Sequence, residues 1–278
     1  MKFILPVSDL NLEHTLECGQ AFRWEDFGGC YAGVIGKAIV KVSLGGSGLA
    51  VETSSPVNRD DIARYFGLDE DLTSIYKQIG RDPHVKKAID RFRGLRILNQ
   101  DRWECLASFI LSSYTNIPRI KKMIAGLSVR FGQRLVLGDL ERYSFPGADS
   151  IARADLRTLR SLGLGFRAGY LKNTARMVSE KAIDLDAVGE LNYEQAKKAL
   201  ICLRGVGDKV ADCVLLFSFG KYEAFPVDVW IKRGIERLYF EGRDTSPKAV
   251  AEFARSRFGP YAGYAQEYLY HYLRHERG

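Results

Sequence analysis

The sequence predicts an α+β protein that is mainly helical, in which a small N-terminal antiparallel β-sheet domain (residues 1–92) precedes a helical domain (residues 93–278). Two observations predict this class. From residue 20 to residue 53, short segments rich in β-branched and aromatic residues alternate with glycine-rich turns. After Pro56 the glycines thin out, and apolar residues recur at the spacing of a helix almost to the end of the chain. With 278 residues, of which 46% are hydrophobic, the chain can bury a substantial core.

The N-terminal domain is predicted to contain an antiparallel sheet. Its strand segments are QAFRW (20–24), CYAGVIG (30–36), KAIVKVS (37–43) and GLAVETS (48–54). Gly-Gly, Gly-Lys and Gly-Gly-Ser-Gly sequences separate them, and short glycine-containing connections are typical of hairpins. After the sheet, helical spacing begins in DDIARYFG (60–67) and DLTSIYKQIG (71–80).

The helical domain is predicted from apolar stripes. Residues 101–112 place five apolar side chains on one helix face, and we interpret this stripe as structural: Trp103, Leu106, Ala107, Ile110 and Leu111. Further helices are predicted at 117–131, 168–181, 193–203, 208–219, 229–238, 247–257 and 261–274.

The charge balance is basic. Lysine and arginine outnumber aspartate and glutamate by 41 to 34, which gives a net charge of +7. A positive surface favours a polyanionic partner because binding releases counterions. The excess is modest, so charge alone does not establish DNA binding.

The cysteines and the first residues bear on the compartment. The five cysteines are scattered and show neither a CxxC pair nor a zinc-site spacing, so reduced thiols in an intracellular compartment are the simplest interpretation. The start, MKFILPVSDL, has one lysine and a short apolar run, so we expect no signal peptide. No segment reaches the ~20 apolar residues that span a bilayer. The histidines form no recognisable ligand set.

The segment LRGVGDKVADCVLLFSFGKYEAFPVD (203–228) contains the strongest functional signal. Gly205 and Gly207 can both adopt positive φ, so the chain can turn sharply between two helices and expose backbone amides that hold a phosphate. Lys209 falls in the first turn of the next helix, where the helix dipole opposes a positive charge and should favour the neutral, nucleophilic amine. The alternative makes Lys209 a solvated lysine and Asp228 a helix N-cap worth about 0.5 to 2 kcal/mol. For Asp228, capping and catalysis are compatible.

This hairpin, Lys209 and the Pro226 to Asp228 segment together resemble the helix-hairpin-helix DNA glycosylases, in which the hairpin is followed at a distance by a catalytic aspartate. The resemblance implies that Lys209 is the nucleophile and that Asp228 is catalytic. The cysteine cluster that holds an iron-sulfur centre in some relatives is missing after Asp228, so no such cluster is expected.

The N-terminal CGQAFRW extends the resemblance to the 8-oxoguanine DNA glycosylase branch, where a glycine carbonyl accepts a hydrogen bond from N7–H of the oxidised base. Gly19 is the corresponding residue. Guanine has a lone pair at N7, so in a desolvated pocket the mismatch costs roughly 1 to 3 kcal/mol. The segment can also start a strand with Phe22 and Trp24 facing inward, and both interpretations can hold.

The rest of the base pocket is implied by two helices. In GPYAGYAQEYLYHYL (259–273), Gln266 matches the family's reader of the Watson–Crick edge, and Tyr270 stands where a stacking phenylalanine is expected. They are four residues apart and therefore share a helix face. Cys213 and Phe217 match pocket positions one and two turns after the lysine. Core packing is the alternative for these two residues, as it is for most of the tyrosines in the last helix.

Two loops and the hairpin are implied to contact DNA. In LSSYTNIPRI (111–120), Tyr114 stands where an asparagine is common and would act as an aromatic wedge, while Arg119 matches the reader of the opposite cytosine; Asn116 also suits a helix start. In LGLGFRAGYL (162–171), the resemblance places Phe166 near the duplex step and Arg167 against the cytosine; without it, this is an interhelical turn with a solvated arginine. The resemblance further assigns phosphate contacts to Gly205, Val206, Gly207 and Trp230.

The resemblance implies a bifunctional DNA N-glycosylase and AP lyase that flips out 8-oxoguanine opposite cytosine, excises it through a lysine Schiff base and nicks the strand by β-elimination. We expect a monomer that acts on double-stranded DNA inside the cell, without a membrane partner. No cofactor or metal is expected to be required, although the hairpin carbonyls suit a monovalent cation. The alternatives are another helix-hairpin-helix glycosylase, such as one for alkylated purines, or a non-catalytic DNA-binding module. Lys209 argues against the first.

Overall fold

The N-terminal part of the chain forms a five-stranded antiparallel sheet, as shown by a computed structural model that describes residues 1–276. The strand order is β1-β5-β4-β3-β2, and Val42 in the central strand lies between Tyr31 and Val51. The strands are β1 (Lys2–Leu5), β2 (Glu25–Asp26), β3 (Cys30–Ile35), β4 (Ala38–Gly45) and β5 (Gly48–Thr53).

Three of the four predicted strands are confirmed as β3, β4 and β5, but the strand predicted at 20–24 is wrong. Gln20 is buried and bonds to other loops: its Nε2 donates to the carbonyls of Thr15 (2.9 Å) and Arg96 (2.8 Å), and its Oε1 accepts from the Leu98 amide (2.8 Å). The segment therefore joins the two halves of the molecule instead of pairing in the sheet. Strand β1 was not predicted.

The helices dominate the remainder of the chain, so the predicted α+β, mainly helical class is confirmed. They are α1 (Leu12–Glu17), α2 (Arg59–Tyr65), α3 (Leu72–Ile79), α4 (Pro83–Arg91), α5 (Arg102–Leu111), α6 (Ile117–Phe131), α7 (Ala148–Arg153), α8 (Leu156–Leu159), α9 (Arg167–Ser179), α10 (Leu185–Glu190), α11 (Tyr193–Ile201), α12 (Asp208–Ser218), α13 (Val229–Tyr239), α14 (Pro247–Phe258) and α15 (Ala262–His275). A π-helical turn (Arg160–Leu164) and a 3₁₀ turn (Gly259–Tyr261) complete them. Every helix predicted from apolar spacing is present, with each end within two residues of its predicted position.

A second, two-stranded sheet interrupts the helical part. Strands β6 (Arg134–Leu137) and β7 (Leu140–Tyr143) form a hairpin around Gly138, whose φ is +57°. The sequence signal was a Gly-Asp turn between two short apolar runs. It was not predicted because the helical spacing on both sides of it is much stronger.

Two clusters of buried apolar side chains form the core beneath the helices and the sheet. The smaller lies under the N-terminal sheet, and the larger is built by the helices, to which α3 and α4 contribute Leu72, Ile75 and Val85. Helix α12 lies at the centre of the larger cluster, because every residue from Val210 to Ser218 is buried. The division of the chain after residue 92 stays a prediction.

No helix among residues 1–276 combines the length and apolar character that crossing a membrane requires.

Candidate active site and DNA interface

The hairpin between α11 and α12 is a tight turn that packs on α9. Gly205 has φ +87°, and a Cβ at this position would lie 2.5 Å from the Tyr170 ring. Gly207 has an extended backbone (φ −101°, ψ −176°), and a Cβ there would meet open space. Only the first glycine therefore uses the positive φ expected for both.

The N-terminus of α12 is open to an external acceptor. Gly207 is its N-cap and provides no side-chain hydrogen bond, so the first-turn amides are left for another acceptor. A phosphate is the group that such a helix end binds most readily. Lys209 lies in this same turn, as the sequence predicts.

A small cavity of about 50 Å³ lies between the N-termini of α12 and α13, the helix α15 and the loop after α1. It brings together both predicted catalytic residues and all five predicted base-pocket residues. The lining is Gly19, Phe109, Lys209, Cys213, Phe217, Pro226, Asp228, Gln266, Glu267 and Tyr270. A cavity of this size has room for a few water molecules, so a flipped base must widen it.

The Lys209 amine is held at one wall of the cavity. Its Nζ lies 3.4 Å from the Ser112 Oγ and 5.2 Å from the centre of the Phe109 ring. Neither neighbour is anionic, so the amine has no carboxylate at ion-pair distance among residues 1–276. An amine that is not tied into a salt bridge keeps its lone pair available once it loses its proton.

Asp228 both caps a helix and lines the cavity. Its Oδ1 accepts a hydrogen bond of 2.8 Å from the Ile231 amide, which is the N-cap contact of α13. A carboxylate has a second oxygen with its own lone pairs, and the residue lines the cavity together with Lys209. The cap fixes the carboxylate in the orientation in which it faces the cavity.

Gly19 closes the cavity from the N-terminal domain. Its φ is +103°, a conformation that other residues adopt only with strain. A Cβ at this position would lie 3.4 Å from the Ile117 Cδ1 and 3.8 Å from the Tyr270 ring. These distances are ordinary van der Waals contacts, so it is the backbone conformation that requires glycine.

Cys213 and Phe217 follow Lys209 along the same face of α12. Burial raises the pKa of the Cys213 thiol to about 12, so the group is neutral. The Phe217 ring stacks on Phe109, with ring centres 5.6 Å apart and planes inclined by 23°. These side chains form an apolar wall opposite α15.

Helix α15 provides the polar wall. Gln266 is 5% exposed, and its Oε1 has no hydrogen-bond partner within the described part of the chain. A buried amide oxygen without a partner is costly unless a ligand satisfies it. Tyr270 is half-buried, and the Arg274 guanidinium lies 5.4 Å from its ring centre, so this ring is held at the entrance.

Three lining residues were not predicted: Phe109, Pro226 and Glu267. Glu267 had a usable signal, since it stands three residues before Tyr270 and so shares its helix face. Its carboxyl is buried, and burial raises its pKa to about 7. Phe109 had none, because it lies in a helix whose apolar residues all suit core packing.

The predicted DNA-contacting residues lie outside the cavity, on the surface beside it. Tyr114 is 95% exposed with φ +52°, and its ring centre lies 6.4 Å from that of Phe166, itself 53% exposed. Arg167 braces this pair: its Nε donates to the Ser113 carbonyl (2.8 Å) and its guanidinium to the Tyr114 carbonyl (3.1 Å). Two neighbouring aromatic rings are thus presented to solvent on a supported loop.

The other residues predicted to contact DNA lie at the starts of two helices and in the hairpin. The Asn116 Oδ1 caps α6 by accepting from the Arg119 amide at 3.1 Å, which confirms the helix-start interpretation of Asn116. The Arg119 side chain is exposed at that helix end. Trp230, 42% exposed, lies in the first turn of α13 two residues after Asp228. Val206 is buried in the hairpin.

Comparison with known proteins agrees with this geometry. Residues 2–106 match the family model of the 8-oxoguanine DNA glycosylase N-terminal domain, and residues 107–260 match that of the HhH-GPD superfamily of base excision DNA repair proteins. A probable N-glycosylase/DNA lyase of Methanothermobacter thermautotrophicus is 31% identical, and the alignment covers 97% of this chain and 95% of that protein. The chain belongs to the 8-oxoguanine DNA glycosylase family. Membership makes this glycosylase a base excision repair enzyme of the N-glycosylase/DNA lyase type.

Solved structures show the same glycosylase fold. MBOgg1 in complex with a low-affinity DNA ligand is 38% identical, with a TM-score of 0.95 over 100% of this chain and 96% of that one. The Clostridium acetobutylicum 8-oxoguanine glycosylase/lyase, solved with double-stranded DNA containing cytosine opposite 8-oxoguanine, is 34% identical, with a TM-score of 0.92 over 99% of both chains.

Metal ligands are absent from this glycosylase as far as the chain is described. Within residues 1–276, no three histidine, cysteine, aspartate or glutamate side chains are grouped so that they could hold a metal ion. The five cysteines occur as free thiols at separate places in the fold.

Proposed function

We propose that this enzyme excises 8-oxoguanine opposite cytosine from duplex DNA, with Lys209 as the nucleophile that forms a Schiff base and with β-elimination as the lyase step. The observation that carries the proposal is the meeting of the Lys209 amine and the Asp228 carboxyl in one cavity with the groups that suit an oxidised purine. Extrusion of the nucleotide costs a few kcal/mol, which phosphate clamping and wedge insertion can offset.

The chemistry starts with the neutral Lys209 amine. Its nitrogen bonds to C1′ of the sugar, the N-glycosidic bond breaks, and the base leaves with that electron pair and takes up a proton. The attached nitrogen loses a proton, and its lone pair then forms the C=N bond while the C1′–O4′ bond breaks. O4′ leaves with that electron pair and takes up a proton, which gives the ring-opened, protonated Schiff base. Removal of a C2′ proton then expels the 3′ phosphate and nicks the strand. Asp228 stabilises the positive charge that develops on the sugar.

The extruded base is recognised by both walls of the cavity. The Gly19 carbonyl accepts from N7–H, and the buried Gln266 oxygen, which has no partner among residues 1–276, accepts from the donors of the Watson–Crick edge. Tyr270 stacks on one face of the base, while Cys213 and Phe217 contact the other. The positive φ of Gly19 supports this role, because it fixes the direction of the carbonyl.

The DNA itself is held by the surface around the cavity. Gly205, Val206 and Gly207 bind the backbone beside the lesion, with a monovalent cation at the hairpin carbonyls, and Trp230 faces a phosphate. Tyr114 and Phe166 fill the step that the base leaves. Arg119 and Arg167 read the cytosine. The exposure of both rings and the uncapped start of α12 support these assignments.

The enzyme acts as a monomer inside the cell, where its DNA substrate lies. No cofactor takes part in the proposed steps.

Borohydride trapping on a duplex with 8-oxoguanine opposite cytosine tests the nucleophile. The wild-type protein should give a covalent adduct and Lys209→Gln none. Lys248→Gln is the matched control, because Lys248 is an exposed lysine of α14 and should trap like the wild type. An adduct with Lys209→Gln would refute the assignment, and binding of the lesion duplex without base release by the wild type would favour the non-catalytic alternative.

A further inference from the structure

A second buried carboxyl lies in the base pocket, and the proposed mechanism does not use it. Glu267 is 2% exposed and lines the same cavity as Lys209 and Asp228. It stands three residues before Tyr270 on α15 and therefore shares a helix face with that residue. The residue therefore lies inside the proposed site.

The position of this carboxyl is fixed by its neighbour Cys18. The buried sulfur is within hydrogen-bonding reach of both the Thr15 carbonyl, at 3.3 Å, and the Glu267 carboxyl. Cys18 directly precedes Gly19. Glu267 consequently stands on the side of the pocket where the Gly19 carbonyl is, and a thiol is too weak a donor to satisfy a carboxylate.

The charged groups around Glu267 come from α12, from the start of α13 and from α15 itself. Burial and the Asp228 charge raise the pKa of Glu267, while the contact with Cys18 and the charges of Arg274 and Lys209 lower it. The result is a pKa of about 7. Within residues 1–276 the carboxyl forms no salt bridge.

Two further titratable neighbours are uncharged. Burial raises the pKa of the Cys213 thiol and of the Tyr270 hydroxyl, so both stay neutral through the range in which Glu267 titrates. A change of pH near neutrality therefore changes the charge of Glu267 without changing that of either group.

We propose that Glu267 is a second reader of the lesion, whose ionised carboxyl accepts a hydrogen bond from the N7–H edge of the extruded base beside the Gly19 carbonyl. This inference rests on the proposed function, since it assumes 8-oxoguanine in this pocket. Guanine has a lone pair at N7, which a carboxylate repels. The protonated acid can instead donate to guanine, so ionisation of Glu267 sharpens the discrimination between the two bases.

The test compares single-turnover excision by the wild type and Glu267→Gln between about pH 6 and about pH 8. Glutamine keeps the shape and removes the charge. Dividing the two rate constants at each pH removes the pH dependence that both proteins share. The carboxylate fraction grows with pH, so the ratio of wild type to variant should rise roughly tenfold over this range. Glu276→Gln, at the exposed end of the same helix, is the matched control and should give a ratio near one throughout.

Binding to a duplex with a tetrahydrofuran abasic site separates base reading from a structural role. That duplex presents no base, so Glu267→Gln should bind it as tightly as the wild type. An active wild type with a pH-independent ratio, or a variant that loses abasic-site affinity in proportion to excision, would overturn the inference alone. A wild type that excises nothing at any pH would overturn the proposed function together with it.

Discussion

Asp228 illustrates how one side chain can serve the fold and the site at once. The cap to the Ile231 amide holds the carboxylate without a further residue. The hydrogen bond that caps the helix thus also orients the carboxylate.

Asparagine keeps most of this cap and removes the charge, so Asp228→Asn separates the two roles. We expect base release in a single turnover to slow about 10²-fold or more, because charge stabilisation in the transition state is lost. Affinity for an abasic-site duplex should change little. Asp184→Asn, at the N-cap of α10, is the matched control and should leave excision unchanged. An unaltered rate with Asp228→Asn would count against its proposed role.

Tyr114 is the clearest case of a residue that the fold does not need. Because its side chain is 95% exposed, Tyr114→Ala should change the free energy of unfolding by only about 0.5 kcal/mol. Its loss as a wedge should weaken binding of the lesion duplex by about 1 to 3 kcal/mol, measured by titration. Val136→Ala, an exposed apolar residue of β6, is the control for a general surface effect. Equal affinities for Tyr114→Ala and the wild type would contradict the wedge.

At this scale, sequence reasoning placed most of the cavity correctly. Gln266, Tyr270 and Cys213 were assigned to the pocket by the family resemblance. Their spacing along α15 and α12 is a local property that agrees with that assignment. Pro226 and Phe109 could not be placed in the same way, because their approach depends on how separate elements pack. The roles of the site residues stay predictions.

At the scale of elements, the hairpin before α12 depends on one glycine more than on the other. Gly205→Ala imposes positive φ on alanine and a contact of 2.5 Å with the Tyr170 ring, which should lower the free energy of unfolding by about 1 to 3 kcal/mol. Gly207→Ala meets neither obstacle and should change it by less than about 1 kcal/mol. Denaturant unfolding measures both, and similar losses for the two variants would show that the turn is not set by Gly205.

Helices and strands were predicted well where their sequence signal is local and extends over many residues. Helix α12 begins at Asp208 and α6 at Ile117, where the glycine and asparagine signals placed them. The segment from Gln20 failed for a physical reason. Its alternating side chains fit a strand, but the buried glutamine bonds to the backbone of Thr15 and of two distant residues, Arg96 and Leu98, which holds it out of the sheet. Contacts of that range leave no periodic trace in a sequence.

At the scale of the whole molecule, a histidine cluster joins the first and last parts of the chain. The His271 ring centre lies 4.4 Å from those of Phe92 and His275 and 5.3 Å from that of His14. Neither His271 ring nitrogen has a hydrogen-bond partner among residues 1–276, and burial lowers the pKa of this imidazole to about 3. The contact between α1, α4 and α15 is therefore built around an uncharged ring.

This cluster makes stability depend on pH. The unfolded chain takes up a proton at His271 near the ordinary pKa of 6.5, whereas the folded chain does not. Stability should thus be complete above that pH and fall by at most about 1.4 kcal/mol for each pH unit below it. Thermal unfolding at several pH values should show this loss, and His271→Phe should reduce it. His84, which packs edge-on against Tyr239, provides the control as His84→Phe. The same acid sensitivity in His271→Phe would assign it to other groups.

The contact between the Lys209 amine and the Ser112 hydroxyl joins the proposed nucleophile to the loop that carries Tyr114. Two peptide units separate the exposed ring from the atom beside the amine, and Arg167 ties the intervening carbonyls to α9. A duplex that pushes on the ring therefore also shifts the surroundings of the amine. Such a linkage would couple distortion of the bound DNA strand at Tyr114 to the position of the Lys209 amine before any bond is broken.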